Sequence, residues 1–393
     1  MKITKTGYHR YEREYEPEKC HPASWSDSSR EYIMMTGTGQ LKRLLEKMGY
    51  EDVGGFSEYR KILVLIGIAL ILFVTAIVAV VMGKYGFTVM DVYRTIFIHI
   101  TFGDTSAIEK LNNTIIWDIR VPRILLTIFV GGALAIAGAV FQGVFKNPLV
   151  EPYILGVSSG AAFGAALGIV FPTIFFSLQL SAFAFGSIAV AVAYLLARVR
   201  GETPVVTLIL AGVIVGSIFA ALVSLLKYLS TDAALREIVF WMMGGFYYAT
   251  WNDVRIIAPV VTIGFIILWA LSWKLNILSM GDDEARTLGV NPERYKFIVI
   301  GIATAVTAFA VSLVGIVAWV GLMMPHASRI LLGPDNRYVI PASFMMGGIY
   351  LMVCDTLART LTNAEIPVGI IASILGAPYL CYLLRSKGRV IFG

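Results

Sequence analysis

The polar and apolar positions of this chain alternate in long blocks, not in short amphipathic runs. A helix that crosses about 30 Å of hydrocarbon at 1.5 Å per residue needs about 20 mostly apolar residues. The stretch 62–83, closed by Lys61 and Lys84, is a first such block, and 124–145 is a second. Residues 152–197 run for 46 positions without a formal charge, too long for one helix, and Phe171-Pro172 supplies the break between a third and a fourth span. Blocks 204–226 and 256–273 give the fifth and sixth. The 32 uncharged residues 297–328 read as a full seventh span and a short eighth ending near Arg329. Residues 338–357 and 366–384 are the ninth and tenth. The stretch 238–252, with Trp241-Met242-Met243-Gly244-Gly245, is too short to cross and is expected to pack on protein or lie at the interface. The pattern therefore predicts an all-α, polytopic membrane protein of about ten transmembrane helices.

Composition sharpens this picture. Of 393 residues, 57% are apolar and 15% charged, against about 25% charged in a soluble domain. Segment 1–59 is polar and carries most of the first 20 charges of the chain, ten acidic and ten basic through residue 60, so it reads as a tail before a membrane domain at 60–393. Leu41, Leu44, Leu45 and Met48 give that tail one short amphipathic stretch. Its first 30 residues carry charges throughout and no apolar core, so no signal peptide is read there. Cys20-His21 is an isolated pair and the three cysteines are scattered, which excludes a disulfide framework and a Cys-rich metal site. Basic residues sit in loops, as membrane orientation requires, and no nucleic-acid partner is implied. With both termini cytoplasmic, inner loops and flanks hold 14 basic residues and outer ones nine, the better of the two orientations.

Candidate chemistry is sparse. There is no GxxxxGK[ST], so the chain has no P-loop of its own, and no HExxH. Gly156-Val157-Ser158-Ser159-Gly160 matches GxSxG but lies in an apolar span, where packing explains it better than a nucleophile elbow. Gly156, Gly160, Gly164 and Gly168 recur every four residues, which lets helices approach closely, and the small residues Gly131, Ala135 and Gly138 read the same way. Asp355 is the main acid within a span, and Arg359 one turn later is placed to neutralise it, so an ion-coupled pump is poorly supported.

Two loop regions stand out. Gly281, Asp282, Asp283, Glu284, Ala285, Arg286, Leu288, Gly289 and Val290 form an acidic segment with an apolar end between spans six and seven. It reads equally as a solvated connector or as two short cytoplasmic helices that dock a partner. Arg120 and Arg123 flank Val121-Pro122 before span two, and Arg359 closes span nine, all on the opposite face. Interfacial snorkelling and a basic docking surface both fit them.

Arg120-Val121-Pro122-Arg123, Asn147-Pro148-Leu149-Val150-Glu151-Pro152, Leu155-Gly156-Val157-Ser158-Ser159-Gly160, Trp241-Met242-Met243-Gly244-Gly245, Gly321-Leu322-Met323-Met324-Pro325-His326 and Glu365-Ile366-Pro367-Val368-Gly369 occur in that order. Together they resemble the permease subunits of ABC importers for iron chelates (siderophores, haem) and cobalamin, over roughly residues 60–390. The resemblance implies a ten-helix transmembrane permease domain with an inverted repeat of spans 2–5 and 7–10. It implies a homodimer in the cell membrane, two ABC ATPase subunits and an extracytoplasmic substrate-binding protein, with no catalysis, cofactor or metal of its own. The segment 281–290 would couple to the ATPase, and Arg120, Arg123 and Arg359 would receive carboxylates of the binding protein. Asn147 and Leu149 would lie near the cytoplasmic end of the pathway, with a gate at Val205, Val206 and Thr207, more apolar here than the family's usual small polar set. A molybdate or other oxyanion importer of the same class, and an ion-coupled secondary transporter, are the alternatives.

Overall fold

In the computed structural model, residues 58–83, 85–101, 110–174 and 177–391 are described. The tail reading, including the amphipathic stretch at 41–48 and Cys20-His21, lies outside them. The described residues are helical: α1 (Glu58–Val81), α2 (Val89–Thr101), α3 (Lys110–Phe145), α4 (Val157–Val170), α5 (Leu178–Ala197), α6 (Val205–Leu229), α7 (Asp232–Met243), α8 (Trp251–Ala270), α9 (Ser272–Met280), α10 (Asp282–Thr287), α11 (Pro292–Val314), α12 (Val320–Leu332), α13 (Asn336–Thr360) and α14 (Val368–Ile391). The ten apolar blocks of the sequence fall on α1, α3, α4, α5, α6, α8, α11, α12, α13 and α14.

Seven of these ten helices are long and apolar enough to cross a membrane, whereas α4, with 14 residues, α12, with 13, and α14, apolar over Val368–Cys381, are not among them. At 1.5 Å per residue α4 and α12 each span about 20 Å. Both begin at irregular backbone: α4 follows a 3-10 turn at Pro152–Leu155 and Gly156 at φ 83°, and α12 follows Gly315 at φ 76° and Trp319 at φ 75°. Such breaks are tolerated at membrane depth only where protein covers them. The order of a long helix, a broken connection, a short helix and two long helices thus occurs twice, in α3–α6 and in α11–α14.

α3 is the axis of the bundle. Every residue from Val130 to Phe145 is buried, against α13, α11, α12 and α8. Glycine decides how close these helices come. A Cβ on Gly131 would stand 2.2 Å from the Gly347 carbonyl of α13, and one on Gly138 would stand 1.7 Å from that of Gly321. The predicted glycine face of α4 divides: Gly160, Gly164 and Gly168 meet α5, while Gly156 faces Gly216 of α6.

One expectation changes. Span two does not start near Ile124 after a loop. It continues a helix from Lys110, with a π-helical turn at Thr114–Arg120, so Arg120 and Arg123 lie inside a 36-residue helix. The wider π turn alters the rotational phase and carries Arg120 inward. The stretch 238–252 behaves as expected: α7 ends at Gly244, φ 68°, and the Gly245 amide donates to the Val314 carbonyl.

Candidate functional site

The arginine end is built from α3 and α13. Arg123 forks onto Asp355, with Nη2 and Nε at 2.8 and 3.0 Å from Oδ1, and its Nη1 donates to Glu365 at 2.9 Å. Arg359, one turn beyond Asp355, reaches its Oδ2 at 3.5 Å and donates to the Ala79 carbonyl. Arg120 caps the end of α1: Nη1 donates to the carbonyls of Val80 and Val81 at 2.7 and 3.0 Å, and Nη2 to that of Tyr85 at 2.6 Å. These carbonyls have no helical partner, and a cation there also meets the negative end of the helix dipole.

Arg120, Arg123 and Arg359 are only 5–7% exposed. They do not form an open basic surface. A guanidinium in an apolar bundle requires every donor to find an acceptor. Asp355, 232 residues away from Arg123 in sequence, and the frayed end of α1 supply acceptors to Arg123 and Arg120, while Arg359 Nε, 3.5 Å from Asp355, makes no hydrogen bond. The expected Arg359–Asp355 neutralisation exists, with Arg123 as the closer partner.

The opposite end is built around 281–290, which follows α9 at Met280 and holds one short helix, α10, in place of the two short helices or the extended connector that the sequence allowed. Asp282, Asp283 and Glu284 occupy the first turn of α10, where acids complement the dipole. Ala285 and Val290 bury themselves with Ile277 and Leu278 in a small core, while Asp283, Glu284 and Leu288 face outward. Gly289, at φ 74°, ends the helix, and Asn291 with Pro292 starts α11.

A buried lysine wires this segment to the rest of the bundle. Lys296 Nζ lies 2.5 Å from Asp282 Oδ2, 3.4 Å from Glu293 Oε1 and 3.4 Å from the Thr203 carbonyl. The Thr203 hydroxyl donates to Glu293 Oε2 at 2.5 Å, and Pro204 with α6 follows immediately. Arg286 pairs with Glu202 at 2.5 Å, across a tight turn in which Arg200 and Gly201 both have positive φ. The hydrogen bond to Glu202 raises the Arg286 guanidinium above its ordinary range.

Asn147 and Leu149 lie at this same end. Ser279, two residues before Gly281, donates to the Gly143 carbonyl near the end of α3. Lys146 takes a left-handed conformation, and the Leu149 amide donates to Asn147 Oδ1 at 2.9 Å. Gln142 bridges to the Val150 and Leu322 carbonyls and accepts from Arg329. Val206 is 76% exposed at the start of α6, and the Thr207 hydroxyl returns to the Pro204 carbonyl. The segment 281–290, the pair Asn147 and Leu149, and Val205, Val206 and Thr207 therefore share one end of the bundle. Arg123 and Gly143 are 20 residues apart on one helix, about 30 Å, so the arginines occupy the other end.

Sequence reasoning missed Lys296, Glu293, Glu202 and Gln142 as members of these sites. A lysine at the fifth position of an apolar helix was the one available signal.

The profile of the FecCD transport family matches residues 70–386. The cobalamin import system permease protein BtuC of Halobacterium salinarum is 43% identical over 281 residues, covering 71% of this chain and 76% of that protein. The molybdate import system permease protein MolB of Haemophilus influenzae is 36% identical over 329 residues, covering 83% and 97%. A solved metal-chelate type ABC transporter in an inward-facing conformation superposes with TM-score 0.73 at 36% identity, covering 82% of this chain and 98% of that one.

Proposed function

The chain belongs to the FecCD transport family, a multi-pass permease subunit of an ABC importer, and from that premise we propose that it carries an iron(III) chelate or cobalamin inward as a homodimer. In this reading the subunit lies in the cell membrane with both termini cytoplasmic. Two ATPase subunits engage 281–290, and a binding protein docks at the arginine end. The wiring of 281–290 to the start of α6 through Lys296 carries the proposal. Asp282 belongs to the coupling segment and Thr203 precedes the gate residues, so a push on α10 displaces the base of α6 without a flexible link between them. The outward-facing Asp283, Glu284 and Leu288 offer the ATPase two charges and one apolar knob.

The uncharged stretches of α6 and α14 support the chelate class. From Val205 to Leu226 and from Val368 to Leu384 no residue carries a formal charge. A wall of that kind suits a large, internally satisfied chelate, whose own ligands already neutralise the metal. Molybdate is the second reading, favoured by the 97% coverage of the molybdate permease. A bare oxyanion would need helix N-termini or donors along its route. An ion-coupled mechanism has no place in a subunit driven by an ATPase.

At the arginine end, Arg123 is committed to Asp355 but holds Glu365, which is 32% exposed, only at its outer face. A carboxylate of the binding protein would take the place of Glu365 there. Mass spectrometry of proteins co-purifying with the tagged chain tests the assembly, with an equimolar P-loop ATPase expected. ATP-dependent uptake of labelled cobalamin, ferric chelate and molybdate by the reconstituted complex then separates the substrates, and uptake of molybdate alone overturns the chelate reading.

A further inference from the structure

Two spaces beside the coupling end run into one another. A polar cleft of about 850 Å³ is lined by Arg198, Arg200, Glu202, Arg286 and Arg294. An apolar crevice of about 340 Å³ lies between α5 and α11. Tyr194, Leu195 and Phe297 line both. We propose that this composite site binds one anionic membrane lipid, its hydrocarbon chain in the crevice and its phosphate on Arg198, Arg200 and Arg294.

The charges divide in a way that favours an anion. Glu202 is taken by Arg286, and Glu293 by Lys296 and Thr203. Among the described residues, no ion pair engages Arg198, Arg200 or Arg294. Three guanidiniums therefore face one cleft with no acid left over. Arginine is suited to phosphate because its fork offers parallel donors, and basic pockets between transmembrane helices attract anionic headgroups.

The crevice carries its own evidence of an occupant. Ser187 and Ala191 of α5 face Gly301 and Ala305 of α11, each pair four residues apart. Gly131 and Gly138 are glycine because a Cβ would strike backbone. A Cβ on Gly301 would meet nothing within 4 Å. No contact inside the chain requires glycine there, yet glycine in a helix interior costs about 1 kcal/mol relative to alanine. Small residues on both helices therefore leave the space open, and the chain fills it with no side chain of its own. Ser187 lies 11 residues from Arg198, about 16 Å along the helix, a depth that a lipid chain reaches and a soluble partner's side chain does not.

The inference does not depend on the transport reading, which decides only that the headgroup belongs to the cytoplasmic leaflet. Native mass spectrometry of the full chain, delipidated in detergent, with and without its ATPase, would compare added phosphatidylglycerol with phosphatidylcholine. We expect roughly tenfold preference for phosphatidylglycerol. The combined variant Arg198→Gln, Arg200→Gln, Arg294→Gln should bind it no better than phosphatidylcholine. Gly301→Leu should fill the crevice and lose the lipid, while Gly301→Ala should weaken the lipid only partly and raise the unfolding temperature slightly. Equal binding of the two lipids, retention by the triple variant, or retention by Gly301→Leu would each overturn the site. So would loss of the lipid when the ATPase assembles, which would assign the cleft to the ATPase. Absence of any ATPase with lipid binding intact would count only against the transport reading.

Discussion

Lys296 and Asp282 are joined at 2.5 Å although one stands in the membrane helix α11 and the other in the short helix α10 at its foot. The ammonium is 2% exposed, so the carboxylate is both its counter-charge and its main replacement for water. Replacing Lys296 by Met leaves Asp282 and Glu293 facing each other without a cation and releases the Thr203 carbonyl. ATP-dependent uptake should fall by roughly tenfold or more, within the usual range of intersite coupling. The ATPase should still co-purify, because Asp283, Glu284 and Leu288 are untouched. Unchanged uptake by Lys296→Met would remove the relay.

Asp355 pairs with two arginines at once, Arg123 and Arg359. Asp355→Asn should leave Arg123 and Arg359 buried without a full counter-charge and cost about 3–5 kcal/mol. Thermal unfolding of the detergent-solubilised subunit measures this. The double variant Arg123→Leu, Asp355→Leu should recover part of the loss, since it removes the charge together with its partner.

Glu365 should behave differently from Asp355. Its partner Arg123 keeps Asp355, and its own carboxylate is partly solvated. Glu365→Gln should change unfolding by less than about 1 kcal/mol. It should also tighten binding of the substrate-binding protein about two- to fivefold, because the neutral amide holds Arg123 Nη1 less strongly than the carboxylate does. A titration of the binding protein on the reconstituted complex decides this, and weaker binding would contradict the exchange of carboxylates.

The α3–α13 contact sets a steric limit. Gly131→Val must displace the Gly347 carbonyl and should destabilise by at least about 1–3 kcal/mol. At Gly67 in α1 a Cβ meets nothing within 4 Å, so Gly67→Ala should be neutral or mildly stabilising. Comparing the two unfolding temperatures checks that close packing, and not glycine content, holds the bundle.

Asp335 caps α13 by accepting from the Arg337 amide, and it also accepts from Asn276 and the Arg337 side chain. Partial burial raises its carboxyl, but these bonds outweigh that and hold it below the ordinary value. A depressed folded pKa gives stability that is present above the unfolded value of about 3.9 and is lost as pH falls through the folded one. Unfolding temperature should therefore drop below about pH 4, and Asp335→Ala should flatten that drop while costing about 1 kcal/mol at neutral pH.

The sequence by itself determined where the helices are. Runs such as 205–226 and 297–314 are apolar over consecutive residues, and in lipid a backbone without water must bond within its own segment. That constraint is local, so it can be read without knowing any contact. The glycines at Gly131, Gly138, Gly160 and Gly164 marked close approach for the same reason. The placement of 281–290 and of Arg120, Arg123 and Arg359 at opposite ends also followed, since helix count and helix length fix the end on which a loop emerges.

Only the tertiary structure decided what the charges do. Arg123 finds Asp355 across 232 residues and Arg120 finds the carbonyls at the end of α1, so an apparent basic surface becomes two buried anchors. Lys296 gives no sign in sequence of touching both Asp282 and Thr203. A buried charge is stable only if its full set of partners converges on it, and those partners come from separate helices. Their convergence depends on how the helices cross, which no single segment encodes.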